Sequence, residues 1–262
     1  MRRVIKSILL VASIFLAVAP VQAAEFRSSE SSLNISGDQV YRHLHLAAES
    51  VTIDSKVEDD LLIAAGTVLS NGEVTGSLFI AGGTVTVRSH ISRHLRVLGG
   101  NVTISGQIDG DVFIAGGTVT IDKLAVINGG LFLAGGDVII NGKVVGEIRL
   151  AGGNTIINGQ VSEVKAYTDR LTVNDGAVID GNLTYYSANK ATISDSAKIT
   201  GTVSQQKAAL TMNNHPWQQF YLLHNFLNLT GTILLAWAII NFSRHKSQDM
   251  VSAATSNQIS NV

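Results

Sequence analysis

Histidines and nearby carboxylates are the side chains of this sequence whose types could bind a metal ion. The chain has seven His and no Cys. His43 and His45 are two residues apart and share one side of a strand, while His90 and His94 flank a turn further along. A zinc site needs three or four converging ligands, and even with the carboxylates at 58–60 this spacing favours exposed side chains. The sequence therefore predicts no metal site.

The acidic, serine and glycine residues also lack the pattern of an enzyme. Asp109 and Asp111 imitate the paired carboxylates of a glycosidase, but the short turns around them leave no room for a substrate cleft. No serine lies in a recognisable Ser-His-Asp motif, and no GK[ST] sequence follows the glycine-rich triplets as in a phosphate loop. The formal net charge of −1 argues against non-specific nucleic-acid binding. We expect a chain that is not an enzyme, uses no cofactor and binds no nucleic acid.

An internal repeat determines where all of these side chains lie. Units such as LFIAGGTVTV (78–87) recur at intervals of 16 to 19 residues, each anchored by an apolar residue: Leu44, Leu61, Leu78, Leu95, Val112, Leu131, Ile148, Val164 and Leu183. Five of the units carry a pair of glycines, at Gly82, Gly83, Gly99, Gly100, Gly116, Gly117, Gly135, Gly136, Gly152 and Gly153. We expect these turn glycines between strands, where a positive φ or the close packing of one coil on the next excludes a Cβ.

Apolar residues alternate inside each unit with a period of two, as in a strand with one buried face. With the anchor as offset zero, offsets two, seven, nine and thirteen are apolar almost throughout. In the unit that begins at Leu78 they are Ile80, Val85, Val87 and Ile91. Three short strands and three corners per coil predict an all-β, three-faced parallel β-helix of about nine coils of 16–20 residues, with one strand of each coil in each of three sheets.

Apolar segments also lie at both ends of the chain. A basic start, an apolar run and the small residues near Ala23 are typical of a signal peptide, with an uncleaved anchor as the alternative. The stretch 220–242 is long enough to cross a membrane, with an amphipathic capping helix as the alternative. The predicted organisation is a signal peptide at 1–23, a polar lead-in at 24–32, a β-helix domain at 33–212, a linker at 213–219, one transmembrane helix at 220–242 and a disordered cytoplasmic tail at 243–262.

Units such as GDVFIAGGTVTI (110–121) and GGLFLAGGDVIINGKVVGEI (129–148) resemble the bactofilins, the polymer-forming cytoskeletal family of bacteria. The resemblance covers about residues 44–203 and implies a right-handed three-faced β-helix without nucleotide or metal. It also implies self-assembly, in which rods stack end to end into filaments. Typical bactofilins are cytoplasmic and have no signal peptide, so this chain looks more like exported relatives that carry membrane helices.

The expected function is a non-enzymatic, membrane-anchored, self-associating scaffold of the bacterial cell envelope, in the inner membrane with the β-helix on the extracytoplasmic side. The expected partners are copies of the chain, through coil stacking or lateral contact, and the membrane, through the C-terminal helix. A rod that abuts the membrane stacks freely only at its N-terminal end, which predicts dimers rather than long polymers. The alternative is an extracytoplasmic binding or sensory module that recognises an envelope polymer or protein.

Two further features bear on self-association. Phe79, Phe113 and Phe132 occupy offset one in three coils, with Arg96 between the first two. Stacked on one face they would form an apolar stripe for lateral contact, and packing between coils is the equally valid alternative. The open ends of a β-helix must be capped or they pair with another chain, and the polar segment 27–43 is a candidate cap for the N-terminal end.

Overall fold

A computed structural model describes residues 25–206, and this part of the chain is built from strands and turns without a helix. The alternation of apolar and polar residues places nearly every segment between the turns in a strand. The strands are β1 (Glu25–Ser28), β2 (Ser32–Ile35), β3 (Tyr41–Ile53), β4 (Val57–Ser70), β5 (Leu78–Val87), β6 (Leu95–Ile104), β7 (Gln107–Ile108), β8 (Val112–Ile121), β9 (Val126–Ile127), β10 (Leu131–Ile140), β11 (Lys143–Val144), β12 (Ile148–Ile157), β13 (Gln160–Val161), β14 (Val164–Val173), β15 (Val178–Ile179), β16 (Leu183–Tyr186), β17 (Thr192–Ile193), β18 (Lys198–Ile199) and β19 (Val203–Gln206).

From β6 onward each coil contributes one longer strand and one short strand, while isolated parallel bridges at Val57, Val74 and Ile91 take the place of the short strand in the earlier coils. Every strand pair among the described residues is parallel. The long strands form a thirteen-stranded sheet in the order β1-β3-β4-β5-β6-β8-β10-β12-β14-β16-β19, with β2 on β3 and β17 on β14. The short strands form a six-stranded sheet in the order β18-β15-β13-β11-β9-β7. This ladder of coil upon coil confirms the predicted parallel β-helix.

The interior is a continuous column of aliphatic side chains, as the alternation predicts. In the coil that begins at Leu78, the side chains of Ile80, Val85, Val87 and Ile91 are at most 3% exposed. The same offsets are buried in coil after coil, so each coil is unable to bury its apolar face without its neighbours. The core is therefore one continuous cluster of buried residues that runs along the rod from Ile35 to Tyr185.

The glycine pairs differ from the prediction, because they lie inside continuous strands rather than between strands. Gly82 and Gly83 are in the middle of β5, whose pairing with β6 continues on both sides of them. Their φ angles are ordinary, but a Cβ on Gly82 would lie 2.7 Å from the carbonyl oxygen of Ala65, and one on Gly83 would lie 2.9 Å from that of Gly66. Close approach of one coil to the next is thus the reason for glycine.

Because each long strand continues through the glycine pair, the count of sheets is two rather than the predicted three. The buried offsets zero and two are separated from seven and nine by four less buried positions, so the long strand supplies two buried stretches to the core. A third stretch comes from the short strand. The right-handed winding implied by the family resemblance remains a prediction.

The predicted segments at the two termini fall mostly outside the described residues. These are the signal peptide at 1–23, the linker at 213–219, the transmembrane helix at 220–242 and the tail at 243–262. Within residues 25–206, no helix is long and apolar enough to cross a bilayer. The ladder already includes β1, which pairs with β3 and lies in the segment 24–32 assigned above to a polar lead-in.

Candidate self-association surfaces

The three predicted phenylalanines lie in one outward column of the long strands. The register aligns Phe79 with Arg96, Arg96 with Phe113, and Phe113 with Phe132. The rings of Phe113 and Phe132 stack with their centroids 4.8 Å apart and an interplanar angle of 10°. The guanidinium of Arg96 lies 5.0 Å from the ring centroid of Phe79 and 5.4 Å from that of Phe113. The structure therefore brings the three rings together through one arginine.

Arg96 is partly withdrawn from water by the two rings that flank it. Burial lowers the pKa of its guanidinium from the ordinary value, and the carboxylates of Asp60 and Asp111 act in the opposite direction. Arginine remains charged in proteins, so the guanidinium of Arg96 makes a cation–π interaction with each of the two rings. The column thus stabilises the packing between coils and also presents half-buried rings to the outside.

A second outward column, at offset three, consists of alanines and one leucine and continues this surface. It runs through Ala64, Ala81, Leu98, Ala115, Ala134 and Ala151. We call the outward side of offsets one and three the aromatic face. Its last described coils carry Tyr167 and Tyr186, whose rings stack 4.3 Å apart, and burial together with Tyr186 raises the pKa of Tyr167 to about 12.

The outer side of the short-strand sheet has a different character, and we call it the polar face. Asp109 accepts hydrogen bonds from Gln107 (2.9 Å) and Asn128 (2.9 Å), and its other oxygen lies 2.9 Å from Nε2 of His90. These hydrogen bonds, with that of Gln107 the strongest influence, hold the pKa of Asp109 below its ordinary value. The side chains are ordered by contacts across coils, as expected for solvated corner residues.

The candidate metal and acid–base residues are likewise engaged in structural contacts. Nδ1 of His94 accepts the backbone N–H of Asp111 at 3.1 Å, and Asp111 in turn accepts the N–H of Gly130 at 2.8 Å. Nε2 of His43 lies 3.5 Å from Oδ2 of Asp59. Among residues 25–206 no group of three or more potential ligands is arranged to hold a metal ion.

A shallow cavity of about 430 Å³ lies on a further outward side, at offsets six and eight of four neighbouring coils. Its polar edge is a hydrogen-bonded column in which Asn154 donates to Asp137 (2.9 Å) and Arg170 donates to Asn154 (3.0 Å). Ile139 and Ile156 supply the apolar part of its lining. This cavity could not be predicted from the sequence, because Thr, Asn and Asp at offset six are ordinary residues on a solvated strand face.

The N-terminal coil carries charge at two positions that face the core elsewhere. Glu25 and Arg27 occupy the register positions of Leu44 and Leu46, which are fully buried in the next coil. The guanidinium of Arg27 pairs with Glu25 at 2.6 Å and lies 4.9 Å from the ring centroid of Tyr41. The hydrogen bond with Glu25 raises the pKa of Arg27. The predicted polar cap at 27–43 includes Arg27 but not Glu25, so this ion pair was not predicted.

The C-terminal coil is apolar where the N-terminal coil is charged. Val203 pairs in register with the buried Leu183 but is 48% exposed. Ile193 and Ile199 pack on the core and are only partly buried. Gln205 is the polar exception, and its amide donates to the carbonyl oxygens of residues 187 and 189 in the preceding coil. Among the described strands, β19 pairs with β16 alone.

These features define a class of protein: a short-coil parallel β-helix with one apolar outer face. Residues 84–184 match the Bactofilin family model, described as polymer-forming cytoskeletal. The predicted family resemblance is confirmed there. Comparisons with curated proteins and with solved structures return no match.

The family match also corrects one prediction. The expected position of the β-helix, on the extracytoplasmic side of the inner membrane, is wrong, since bactofilins are generally cytoplasmic polymer-forming proteins. That expectation depended on the segments 1–23 and 220–242, which lie outside the described residues.

Proposed function

We propose that this protein is a non-enzymatic scaffold that assembles with copies of itself. The observation that carries the proposal is the coil-on-coil ladder, in which every coil shares its strand pairing and its core with the next, so that a coil of another copy could extend both. An unpaired strand edge above an open apolar core is a template for another β-strand. The family description, polymer-forming cytoskeletal, supports the same function.

The energetics favour a contact at the end of the rod. Each coil is held to the next by a long parallel ladder and by a shared aliphatic core, as in β10 on β12. A second copy placed on the last coil would extend both interactions without rearranging the rod. Association by stacking is therefore a continuation of the packing that already holds the coils together.

The aromatic face is a second candidate surface, for lateral contact. Phe79, Phe113 and Phe132 lie beside the column of mostly alanine residues at offset three, so this face is largely apolar over several coils. Phe79 and Phe132 are three coils apart, so at a coil rise of about 4.8 Å the phenylalanine stripe is about 14 Å long. A stripe of this length covers less than the roughly 800 Å² that each partner buries in a stable interface. We therefore assign the lateral face a supporting role beside stacking.

The test is the assembly state of the purified full-length protein, measured by light scattering after gel filtration and by negative-stain microscopy. We expect concentration-dependent oligomers in the wild type. Val203→Glu places a charge at the exposed apolar end and should shift the protein to smaller species. Ser204→Glu, one residue along the same strand and pointing outward, is the matched control and should assemble like the wild type.

A wild-type chain that stays monomeric at high concentration would contradict this function. It would favour the binding module, for which the cavity beside Asn154 and Arg170 is the described candidate site. Equal assembly of the two charge variants would remove the C-terminal coil from the mechanism, and Phe113→Lys would then test the lateral face.

A further inference from the structure

We infer that the shallow cavity at offsets six and eight binds a short peptide that has free termini and aliphatic side chains. The peptide would lie along the rod, with its terminal ammonium group at Asp137 and its terminal carboxylate at Arg170. This binding site goes beyond the proposed self-assembly and does not depend on it. It consists of two opposite charges, an amide between them and an apolar floor.

The two charges lie at opposite ends of one outward column. Strand pairing aligns Asp137 of β10 with Asn154 of β12, and Asn154 with Arg170 of β14. Asp137 accepts a hydrogen bond from the amide of Asn154, and Arg170 donates one to the amide oxygen of Asn154. Within residues 25–206, neither Asp137 nor Arg170 forms a salt bridge. The carboxylate and the guanidinium are therefore available to a ligand that carries both opposite charges.

The separation of the two charges sets the length of the ligand. Asp137 and Arg170 are two coils apart, so at a rise of about 4.8 Å per coil their Cα atoms are about 10 Å apart. An extended chain spans about 3.3–3.6 Å per residue, so three residues also cover about 10 Å. The cavity volume of about 430 Å³ lies within the range of about 300–1,000 Å³ that small-molecule sites occupy. A tripeptide therefore fits both the span and the volume.

The floor of the cavity favours aliphatic side chains. Ile139 and Ile156 lie next to each other in the column at offset eight, beside the charged column. In the three preceding coils this column carries Thr86, Thr103 and Thr120. The change from threonine to isoleucine provides apolar surface that the side chains of a peptide can cover. A ligand without aliphatic groups would not gain this burial.

Asn154 is placed to bind the peptide backbone between the two termini. An asparagine side chain carries two N–H donors and a carbonyl oxygen with two lone pairs. The contacts with Asp137 and Arg170 use one donor and one lone pair, so that the others match the C=O and N–H of a peptide group. The guanidinium of Arg170 has further N–H donors, and its fork suits a terminal carboxylate. The charges thus determine the direction in which the peptide lies.

Equilibrium dialysis of trivaline against the full-length protein tests the site, because dialysis measures binding in any state of assembly. We expect saturable binding to the wild type. Triglycine should bind about tenfold more weakly, since it has no side chain to cover the isoleucines. Ile139→Thr with Ile156→Thr gives these coils the residues of the preceding ones, and should reduce the affinity for trivaline to that for triglycine.

Peptides with blocked termini assign the two charges. Asp137→Asn should weaken the binding of trivaline about fivefold and should not change that of N-acetylated trivaline, which lacks the ammonium group. Arg170→Gln should weaken the binding of trivaline by a similar factor and should not change that of trivaline amide, which lacks the carboxylate. Asp195→Asn and Arg88→Gln change exposed residues outside the cavity. These matched controls should bind trivaline like the wild type.

Three results would overturn the inference. They are the absence of saturable trivaline binding to the wild type, trivaline binding that neither charge variant weakens, and equal losses for the free and the blocked peptides. Circular dichroism and thermal unfolding verify that each variant is folded. The assembly state is a separate measurement, so a failure of peptide binding leaves the proposed scaffold function intact, and a monomeric wild type leaves this site intact.

Discussion

The aromatic face and the polar face are built on the same coils yet are held together by different interactions. On the aromatic face, Phe113 stacks on Phe132 and shares Arg96 with Phe79, so neighbouring coils are joined by ring contacts. On the polar face, Asp109 gathers hydrogen bonds from side chains of its own and neighbouring coils. A repeat that fixes the backbone and the interior thus leaves the outward residues free to differ, and one side becomes apolar while the other becomes hydrated.

Both faces depend on the spacing of the coils, so the largest effect is expected where that spacing is tightest. A Cβ on Gly106 would overlap the backbone carbonyl oxygen of Ser89 in the preceding coil. Because backbone atoms cannot move aside cheaply, we expect Gly106→Ala to lower the free energy of unfolding by about 2–3 kcal/mol. Chemical denaturation of the full-length protein measures this difference.

Gly135→Ala is the control for this prediction. Its Cβ would meet the nearest atoms at 3.3 and 3.4 Å, and the same register column carries the side chains of Ala48 and Ala65. We expect a loss below about 1 kcal/mol. If the two variants lost equal free energy of unfolding, the spacing between coils would not be the reason for glycine at position 106.

Removal of one ring should separate the aromatic face from the polar face. Phe113→Ala deletes the stack with Phe132 and one half of the Arg96 sandwich, and should cost about 2 kcal/mol of unfolding free energy for this half-buried ring. Thr120→Ala, in the same strand on another outward side, should cost less than about 0.5 kcal/mol. A loss for Phe113→Ala no larger than that of Thr120→Ala would mean that the column contributes little to coil packing.

The interior and the aromatic column could be predicted from the sequence because both follow from the period of the repeat. Once Leu78 and Val112 are aligned as anchors, Phe79 and Phe113 must share a column and Ile80 must point inward. The Glu25–Arg27 pair of the first described coil could not be found in this way. Glu25 precedes Leu44 by 19 residues, an interval that the repeat allows, but a charge at an anchor position breaks the apolar rule by which coils were recognised.

The position of the glycine pairs inside strands could not be predicted from the sequence either, for a different reason. A gap between strands and a bend within a strand both require a residue without a Cβ, so Gly82 and Gly83 are compatible with either. The distance from one coil to the carbonyl oxygens of the previous coil decides between them.

The two faces should also respond at opposite ends of the pH scale. On the aromatic face, the folded protein raises the pKa of Tyr167 to about 12, whereas an unfolded tyrosine titrates near about 10. The unfolded chain therefore loses this proton first, and stability should fall as the pH rises from about 10 to about 12. Ultraviolet titration of tyrosinate and unfolding at several alkaline pH values measure this, with Tyr167→Phe as the variant in which the Tyr167 contribution disappears. A wild-type curve that matches that of the variant would contradict the prediction.

On the polar face the smallest effect is expected, and its sign is reversed. The hydrogen bonds to Asp109 lower its pKa in the folded state, so its contribution to stability is present above the ordinary carboxyl value and is lost as the pH falls below about 3.9. Asp109 is largely exposed, and solvent screening limits this contribution to a few tenths of a kcal/mol. Asp109→Asn should flatten the acid limb of the stability curve slightly and leave the alkaline limb unchanged, with Asp195→Asn, an exposed aspartate of another corner, as the control. An altered alkaline limb in Asp109→Asn would mean that the two faces are coupled through the coils rather than independent.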